Sequence, residues 1–194
     1  MALTFDERLN QIIPKLSSSD FLNSKGLGNE IGFWIFDYPP EREMEMRDFL
    51  QVTILPNLAK SQPLIHVEAI NLFTVVIELL NERNLLEKVI EMQKSKGDEA
   101  VLNALRPLLK EDKLAHKLVS HLNLDELDVL ILHGVGSVYP MIRTHTLLSA
   151  LHPLMESIPL LMFYPGSYDG YSLRLFNQLS EDHYYRAFRL VPSE

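Results

Sequence analysis

Apolar residues recur at three- and four-residue steps in some stretches of this chain and run unbroken in others, and the two patterns predict different elements. Leu9, Ile12, Ile13 and Leu16 fall on one face of a helix over residues 5–16, which an SSSD stretch breaks and caps. Residues 31–36 (IGFWIF) form an apolar run too short for a helix, and they predict a first strand buried on both faces. Asp37-Tyr38-Pro39-Pro40 ends that strand. The two prolines suit the first turn of a helix with Met46, Phe49, Leu50 and Ile54 on its apolar face, and Glu41 and Glu43 stand at its positive end. Residues 65–72 predict a second strand, and the ELLNERN tail makes residues 73–80 a helix.

Residues 85–122 read as purely helical, with one stripe of Val101, Leu102, Leu105, Leu108 and Leu109 and another of Leu114, Leu118 and Leu122. This predicts a helical insertion with solvated outer faces, in which Gly97 ends one helix and Asp98 caps the next. Residues 128–133 (DVLILH) predict a third strand, followed by GVGS, a helix from about residue 138 to 155 and a fourth strand over 158–163. Strand, helix, strand at that spacing is a βαβ unit, which makes consecutive strands parallel and covers both sheet faces with helices. YPGSYDG then reads as a turn-rich loop, SLRLFNQL as a short helix and YYRAFRLV as an alternating edge strand. The expected fold is α/β in three layers, a mostly parallel central sheet flanked by helices, with the chain of 194 residues forming one domain.

Composition narrows the function classes. A hydrophobic fraction of 46% beside 23% charged residues argues for a packed core over disorder. No segment approaches the roughly 20 apolar residues of a membrane span. The start, MALTFDERLNQII, has acids where a secretory signal would be basic and then apolar. With no cysteine, disulfides and thiolate metal sites are excluded, and the expected setting is the cytoplasm. A net charge of −8 opposes attraction to phosphates, so direct nucleic-acid binding is not expected; Arg174, Arg186 and Arg189 are the only local basic candidates weighed, without a basic run.

In open α/β sheets ligands bind beyond the carboxyl ends of the strands, which directs attention to residues 37–41, 133–137 and 164–170. His133-Gly-Val-Gly-Ser137 is the best phosphate candidate, joining a strand to a helix amino end, yet Tyr139 stands where a dinucleotide fingerprint needs a small residue and no P-loop lysine follows. A tight turn with Ser137 as helix cap is the preferred reading. The glycine-rich Gly26 to Gly32 segment precedes its strand and so reads as a turn. The histidines offer no zinc spacing, and no metal or cofactor is expected. Ser137, His145 and Asp169 make a hydrolytic triad only on paper, since GxSxG is absent, while Asp37 and Asp169 as a cation pair supply too few ligands. No catalytic residue is assigned.

Aromatic residues crowd the carboxyl end: Phe163, Tyr164, Tyr168, Tyr171, Phe176, Tyr184, Tyr185 and Phe188, interleaved with arginines. Tyrosine and arginine dominate binding hot spots, so this region predicts a partner surface. The partner-binding or ligand-rim candidates are therefore Asp37, Tyr38, Gly134, Gly136, Ser137, Arg143, His145, Tyr164, Tyr168, Asp169, Arg174, Tyr184, Tyr185 and Arg186.

Taken together, GLGNEIGFWIFDYPPE, MQKSKGDEA, GVGSVYP, IRTHTLL, MFYPGSYDGYSLRLF and YYRAFRLVP resemble, block by block and in order, the BrxB family of bacteriophage-exclusion (BREX) defence systems. The resemblance spans nearly the whole chain. It implies membership of a system that methylates host DNA and blocks phage replication. It also implies work beside a large ATPase, an adenine methyltransferase and a phosphatase-like PglZ protein, the last being the expected partner. The family has no established catalytic motif to carry over. The expected function is thus a non-catalytic adaptor, the alternative being a degenerate nucleotide or phosphate sensor using the GVGS loop.

Overall fold

Ten helices and seven strands follow one another in the computed structural model, which describes residues 3–22, 32–155, 157–181 and 187–192. In chain order the elements are α1 (Phe5–Leu16), α2 (Ser19–Leu22), β1 (Phe33–Tyr38), α3 (Glu43–Phe49), α4 (Leu55–Ser61), β2 (Val67–Asn71), α5 (Leu72–Glu82), α6 (Leu86–Lys96), α7 (Asp98–Leu105) and α8 (Glu111–Ser120). Then come β3 (Val129–His133), α9 (Val135–Val138), α10 (Thr144–Met155), β4 (Leu160–Tyr168), β5 (Leu173–Leu175), β6 (Leu179–Glu181) and β7 (Phe188–Arg189). A 3-10 turn (Pro40–Arg42) precedes α3, and a π-helical segment (Leu50–Ile54) joins α3 to α4.

Five strands lie parallel in the order β2-β3-β4-β1-β7. The chain enters the sheet at β1, crosses to the far edge at β2, and steps back through β3 to β4, beside β1. The two directions of travel use opposite faces, as right-handed crossovers demand. Met46, Leu50, Ile54 and Leu58 of the outward crossover pack with Leu9, Ile12 and Leu16 of α1 on one face, against Phe36, Val129, Ile131, Leu161 and Phe163. Helices α5, α8 and α10 cover the other, against Ile35, Leu130, Leu132, Leu160 and Met162. Both faces are buried at β1, β3 and β4, which is why these three strands are continuous apolar runs instead of alternating ones. The three-layer, mostly parallel α/β arrangement expected from the periodicity is the one observed.

Several local expectations are corrected. Strand β1 does not stop before Asp37 but carries it and Tyr38. The helix expected from residue 138 onward is two pieces, α9 and α10. Pro140 accounts for the break: it lacks an N–H and drives Tyr139 to an extended ψ of 140°. Asp98 does not cap α7; Gly97 is the junction, at φ 81°, and the Asp98 carboxylate accepts from Gln93 Nε2 at 2.9 Å. The 85–122 stretch is helical as expected, and it is more than a solvated appendage, because Leu114, Ala115 and Leu118 of α8 join the core with Leu147 and Leu151 of α10.

The largest correction lies after β4. The YPGSYDG segment is strand up to Tyr168, and SLRLFNQL is no helix but supplies β5 and the start of β6. Gly166, Ser167 and Tyr168 pair antiparallel with Leu175, Arg174 and Leu173, and β5 pairs with β6. Leu173 and Leu175 alternate with exposed Arg174, a period of two that a helical reading overlooks. Phe176 and Asn177, at φ 54° and 59°, turn the hairpin. At the other side of the sheet Trp34 packs between Phe21 and Phe188, with ring centroids 5.3 and 5.4 Å away, and β7 is indeed an edge strand.

Candidate functional site

Doubly wound sheets bind ligands where the chain reverses direction, because the loops leaving adjacent strand ends go to opposite faces and open a crevice. Here the segment after β1 turns to one face and the segment after β3 to the other, so the crevice falls above β4. The chain fills it with itself. Strand β4 runs on past its neighbours, and the hairpin it enters folds back over the opening, with Phe176 N–H donating to the Pro165 carbonyl at 2.9 Å.

The GVGS loop lies under this cover. Gly134, at φ 74°, makes the left-handed turn out of β3, and a side chain there would reach within 2.6 Å of Asn71 Oδ1. A Cβ on Gly136 would come 2.8 Å from the Phe176 ring and 3.2 Å from Pro165, so the hairpin aromatic rests directly on that glycine. Phe176 holds a φ that bulky residues rarely adopt, and this seating helps pin it there. Ser137 does not cap the long helix; it lies inside the single turn α9, and its Oγ accepts from Arg47 Nη2 at 2.8 Å.

Arg47 links two parts of the rim. Its Nε donates to Glu43 Oε1 at 2.7 Å, one helical turn back, and Glu43 accepts the Tyr38 hydroxyl through its other oxygen. Tyr38, Glu43, Arg47 and Ser137 thus form one chain of contacts from β1 through α3 to α9. Burial pushes the Tyr38 phenol far above its ordinary range, and the Glu43 charge adds to this. Ser137 is paired with a permanently protonated guanidinium, which cannot take its proton. The i, i+4 spacing of Glu43 and Arg47 was a readable signal; that their common target was Ser137 was not.

Asp37 sits beneath the rim, 5% exposed. Its Oδ1 accepts from Arg8 Nη2 at 2.6 Å, its Oδ2 accepts from Tyr168 N–H at 3.0 Å, and Arg189 Nη2 is 3.9 Å away. Arg8 also donates to the Val191 carbonyl at 3.1 Å and stacks over the Phe36 ring at 4.7 Å. The carboxylate expected as a ligand on the rim therefore ties α1, β4 and the C-terminal segment together. Arg8 escaped the sequence reading because it is one polar residue beside the apolar stripe of an amphipathic helix.

The remaining candidates divide. Tyr164 and Tyr168, 0% and 1% exposed, belong to the core and offer no surface to a partner; Tyr168 donates its hydroxyl to the Ala187 carbonyl at 2.9 Å. Asp169 is a turn former, as expected: its carboxylate accepts from Tyr171 N–H and Ser172 N–H at 2.8 and 2.7 Å, bonds that hold its pKa down. His145 lines with exposed Arg143 a groove beside Arg106 and Glu111, while Ser137 accepts from Arg47 and the Asp169 carboxylate is engaged within its own turn. Arg174 is exposed on β5, whereas Arg189 turns toward Asp37, which removes it from any basic patch. Tyr184, Tyr185 and Arg186, like residues 26–31 of the glycine-rich segment, lie outside the described residues. Among the described residues no three His, Asp or Glu side chains gather as a metal site.

His133 closes β3 and lines a groove of about 460 Å³ with Asn71, Glu78, Lys117 and His121. It is 8% exposed, and among the described residues its Nδ1 meets no hydrogen-bond partner. Burial lowers its pKa, with Arg47 adding to the shift and Glu43 opposing it. Above the ordinary histidine range, near 6.5, folded and unfolded chains are both neutral here. As pH falls through that value the unfolded chain takes a proton that the folded chain refuses, so stability declines until the lower folded pKa is passed. The variant His133→Asn should flatten part of that decline in urea midpoints measured from pH 7 to 5; an unaltered slope would assign the acid sensitivity to other groups.

The family described as "BREX protein BrxB" matches residues 68–190. Two relatives with that description align over nearly everything: one from Bacillus cereus (strain H3081.97) is 40% identical over 188 residues, covering 96% of this chain and 97% of the relative. The other, from Escherichia coli O9:H4 (strain HS), is 41% identical over 185 residues, covering 95% and 90%. The chain belongs to the BrxB family of BREX proteins. No solved structure matches this BrxB-family chain. Among its described residues no helix is long and apolar enough to cross a membrane.

Proposed function

We propose that the chain serves a BREX phage-defence system as a non-catalytic adaptor, docking the PglZ-like phosphatase-fold protein and, beside it, the system's ATPase. Membership of the BREX system rests on the family. The adaptor reading is supported above all by one observation: the crevice where this fold class carries out chemistry is occupied by the chain's own hairpin, with Phe176 seated on Gly136. The rim's polar groups are spent on one another, and Ser137 faces Arg47. A nucleotide or phosphate at the GVGS loop would have to displace that ring, and α9 is a single turn.

With Tyr164 and Tyr168 withdrawn into the core, the exposed surface on the hairpin side among the described residues includes Tyr171, 68% exposed, with Arg174 and Leu179. This is the surface assigned to the partner. Co-expression with the PglZ-like protein and the ATPase, followed by affinity purification of this chain, should retain the PglZ-like protein. Recovery of the chain with neither protein would overturn the adaptor reading. The pair Tyr171→Ala and Arg174→Glu should weaken capture about tenfold or more, as hot-spot losses do, while changing unfolding free energy by less than about 0.5 kcal/mol, as surface substitutions do.

A further inference from the structure

Strand β2 forms one edge of the parallel sheet. Its inner side is set by the Val129 N–H donating to the His66 carbonyl at 3.1 Å and by the pairing of Val67 with Val129 through Asn71 with His133. In a parallel ladder alternate residues face the neighbour. His66, Glu68 and Ile70 therefore bond to β3, and the backbone N–H and C=O groups of Val67 and Ala69 and the N–H of Asn71 point outward, while the Asn71 carbonyl, at the N-cap of α5, serves the first turn of that helix. No residue of the strand is buried. Exposed edges are normally guarded by proline, lysine, a bulge or a covering element. This one carries a single charge, Glu68, and is flanked on its two sides by grooves of about 460 and 470 Å³ that share Gln51 and Ala69. Leu64, 88% exposed, precedes it and Phe73, 43% exposed, follows it.

We infer that this edge pairs with the β2 edge of a second copy of the chain, antiparallel and two-fold symmetric about Ala69. The inference is independent of the adaptor reading and goes beyond it. The sequence of the strand is self-complementary in that one register. Ala69 meets Ala69 as a hydrogen-bonded pair exchanging two N–H···O=C bonds, and Val67 meets Asn71, so that each Asn71 N–H faces the outward Val67 carbonyl of the other copy. Glu68 stands opposite Ile70, which keeps the two glutamates from facing each other directly; like charges opposed across strands destabilise. That glutamate then projects over the groove beside Ile70, whose lining includes Glu78 and Lys117. Shifting the register by two residues would oppose Glu68 to Glu68 or leave an outward pair unmatched. The same two-fold brings the end carrying Leu64 in one copy against the end carrying Phe73 in the other, covering the exposed apolar side chains nearest the strand. A two-fold interface requires a patch that fits itself, and this strand does.

The full chain should sediment at twice its monomer mass at high micromolar concentration and dissociate on dilution. In hydrogen–deuterium exchange, the Ala69 and Asn71 amides should slow by about tenfold or more as concentration rises, while the Glu68 and Ile70 amides bonded to β3 stay unchanged. The variant Ala69→Pro removes an outward N–H and leaves the ladder to β3 intact, as edge prolines do. It should remain folded and be monomeric throughout. A monomer at every concentration would overturn the proposal, as would a dimer in which these two amides exchange freely. Protection that appears only on adding the PglZ-like protein would also overturn it, by assigning the edge to a different chain. The exchange measurement on the parent protein decides the matter even where the proline variant fails to fold.

Discussion

Replacing Arg8 by alanine should lower the unfolding free energy by about 3–5 kcal/mol, the cost of breaking a buried ion pair from one side. The two side chains are 6% and 7% exposed, so the Asp37 carboxylate left behind would keep Tyr168 N–H and distant Arg189 but little water. A surface pair of the same length would cost no more than about 1 kcal/mol. Asp37→Asn should be similarly damaging, because it leaves the Arg8 guanidinium buried against Phe36 without a counter-charge. The double replacement Arg8→Met with Asp37→Leu should cost less than either single one, since matched apolar groups remove both desolvation penalties. Urea titrations of the four proteins complete the cycle; single losses below about 1 kcal/mol would mean that the pair is solvated in solution.

The second large effect is expected at Gly166. A methyl group there would land on the Arg174 carbonyl oxygen, and that atom is backbone, with no flexible end to swing aside. Gly166 is paired with Leu175 in the β4–β5 ladder, so relief requires the hairpin to lift away. Overpacking costs roughly 1–3 kcal/mol, and each ladder bond lost adds about 1 kcal/mol, which makes Gly166→Ala worth about 3 kcal/mol or more. The damage should stay local. Amides of β5 should exchange faster, Phe176 should leave Gly136, and capture of the PglZ-like protein should drop with the displaced Tyr171 and Arg174. Gly136→Ala is the milder comparison, because the Phe176 ring it meets can tilt. Equal stability of Gly166→Ala and the parent would mean that the hairpin does not lie against β4 as described.

Much of the fold was legible in the chain. Three apolar runs and residues 65–72 became strands β1 to β4, with ends displaced by about two residues at most save at β4, and the three runs are unbroken because a segment buried on both faces has no polar position to interrupt it. Helical stripes were equally plain, down to Leu114 and Leu118. What misled was local ambiguity. SLRLFNQL suits a helix and a strand alike, and only pairing with Gly166 to Tyr168 chose the strand. Tyr164 and Tyr168 have the composition of a binding surface, yet β4 overran its neighbours and carried them inside.

Sequence alone settled the α/β class, the number of core strands, the absence of cysteine chemistry and, through blocks spread along the whole chain, the family. These are properties of periodicity and residue type, which each segment carries within itself. The tertiary structure decided the strand order, the filling of the crevice by the hairpin, the burial of Asp37 against Arg8 and the exposure of the β2 edge. Each of these depends on which distant segments become neighbours. A carboxylate buried against a guanidinium and one open to a ligand are the same letter until the fold supplies the surroundings.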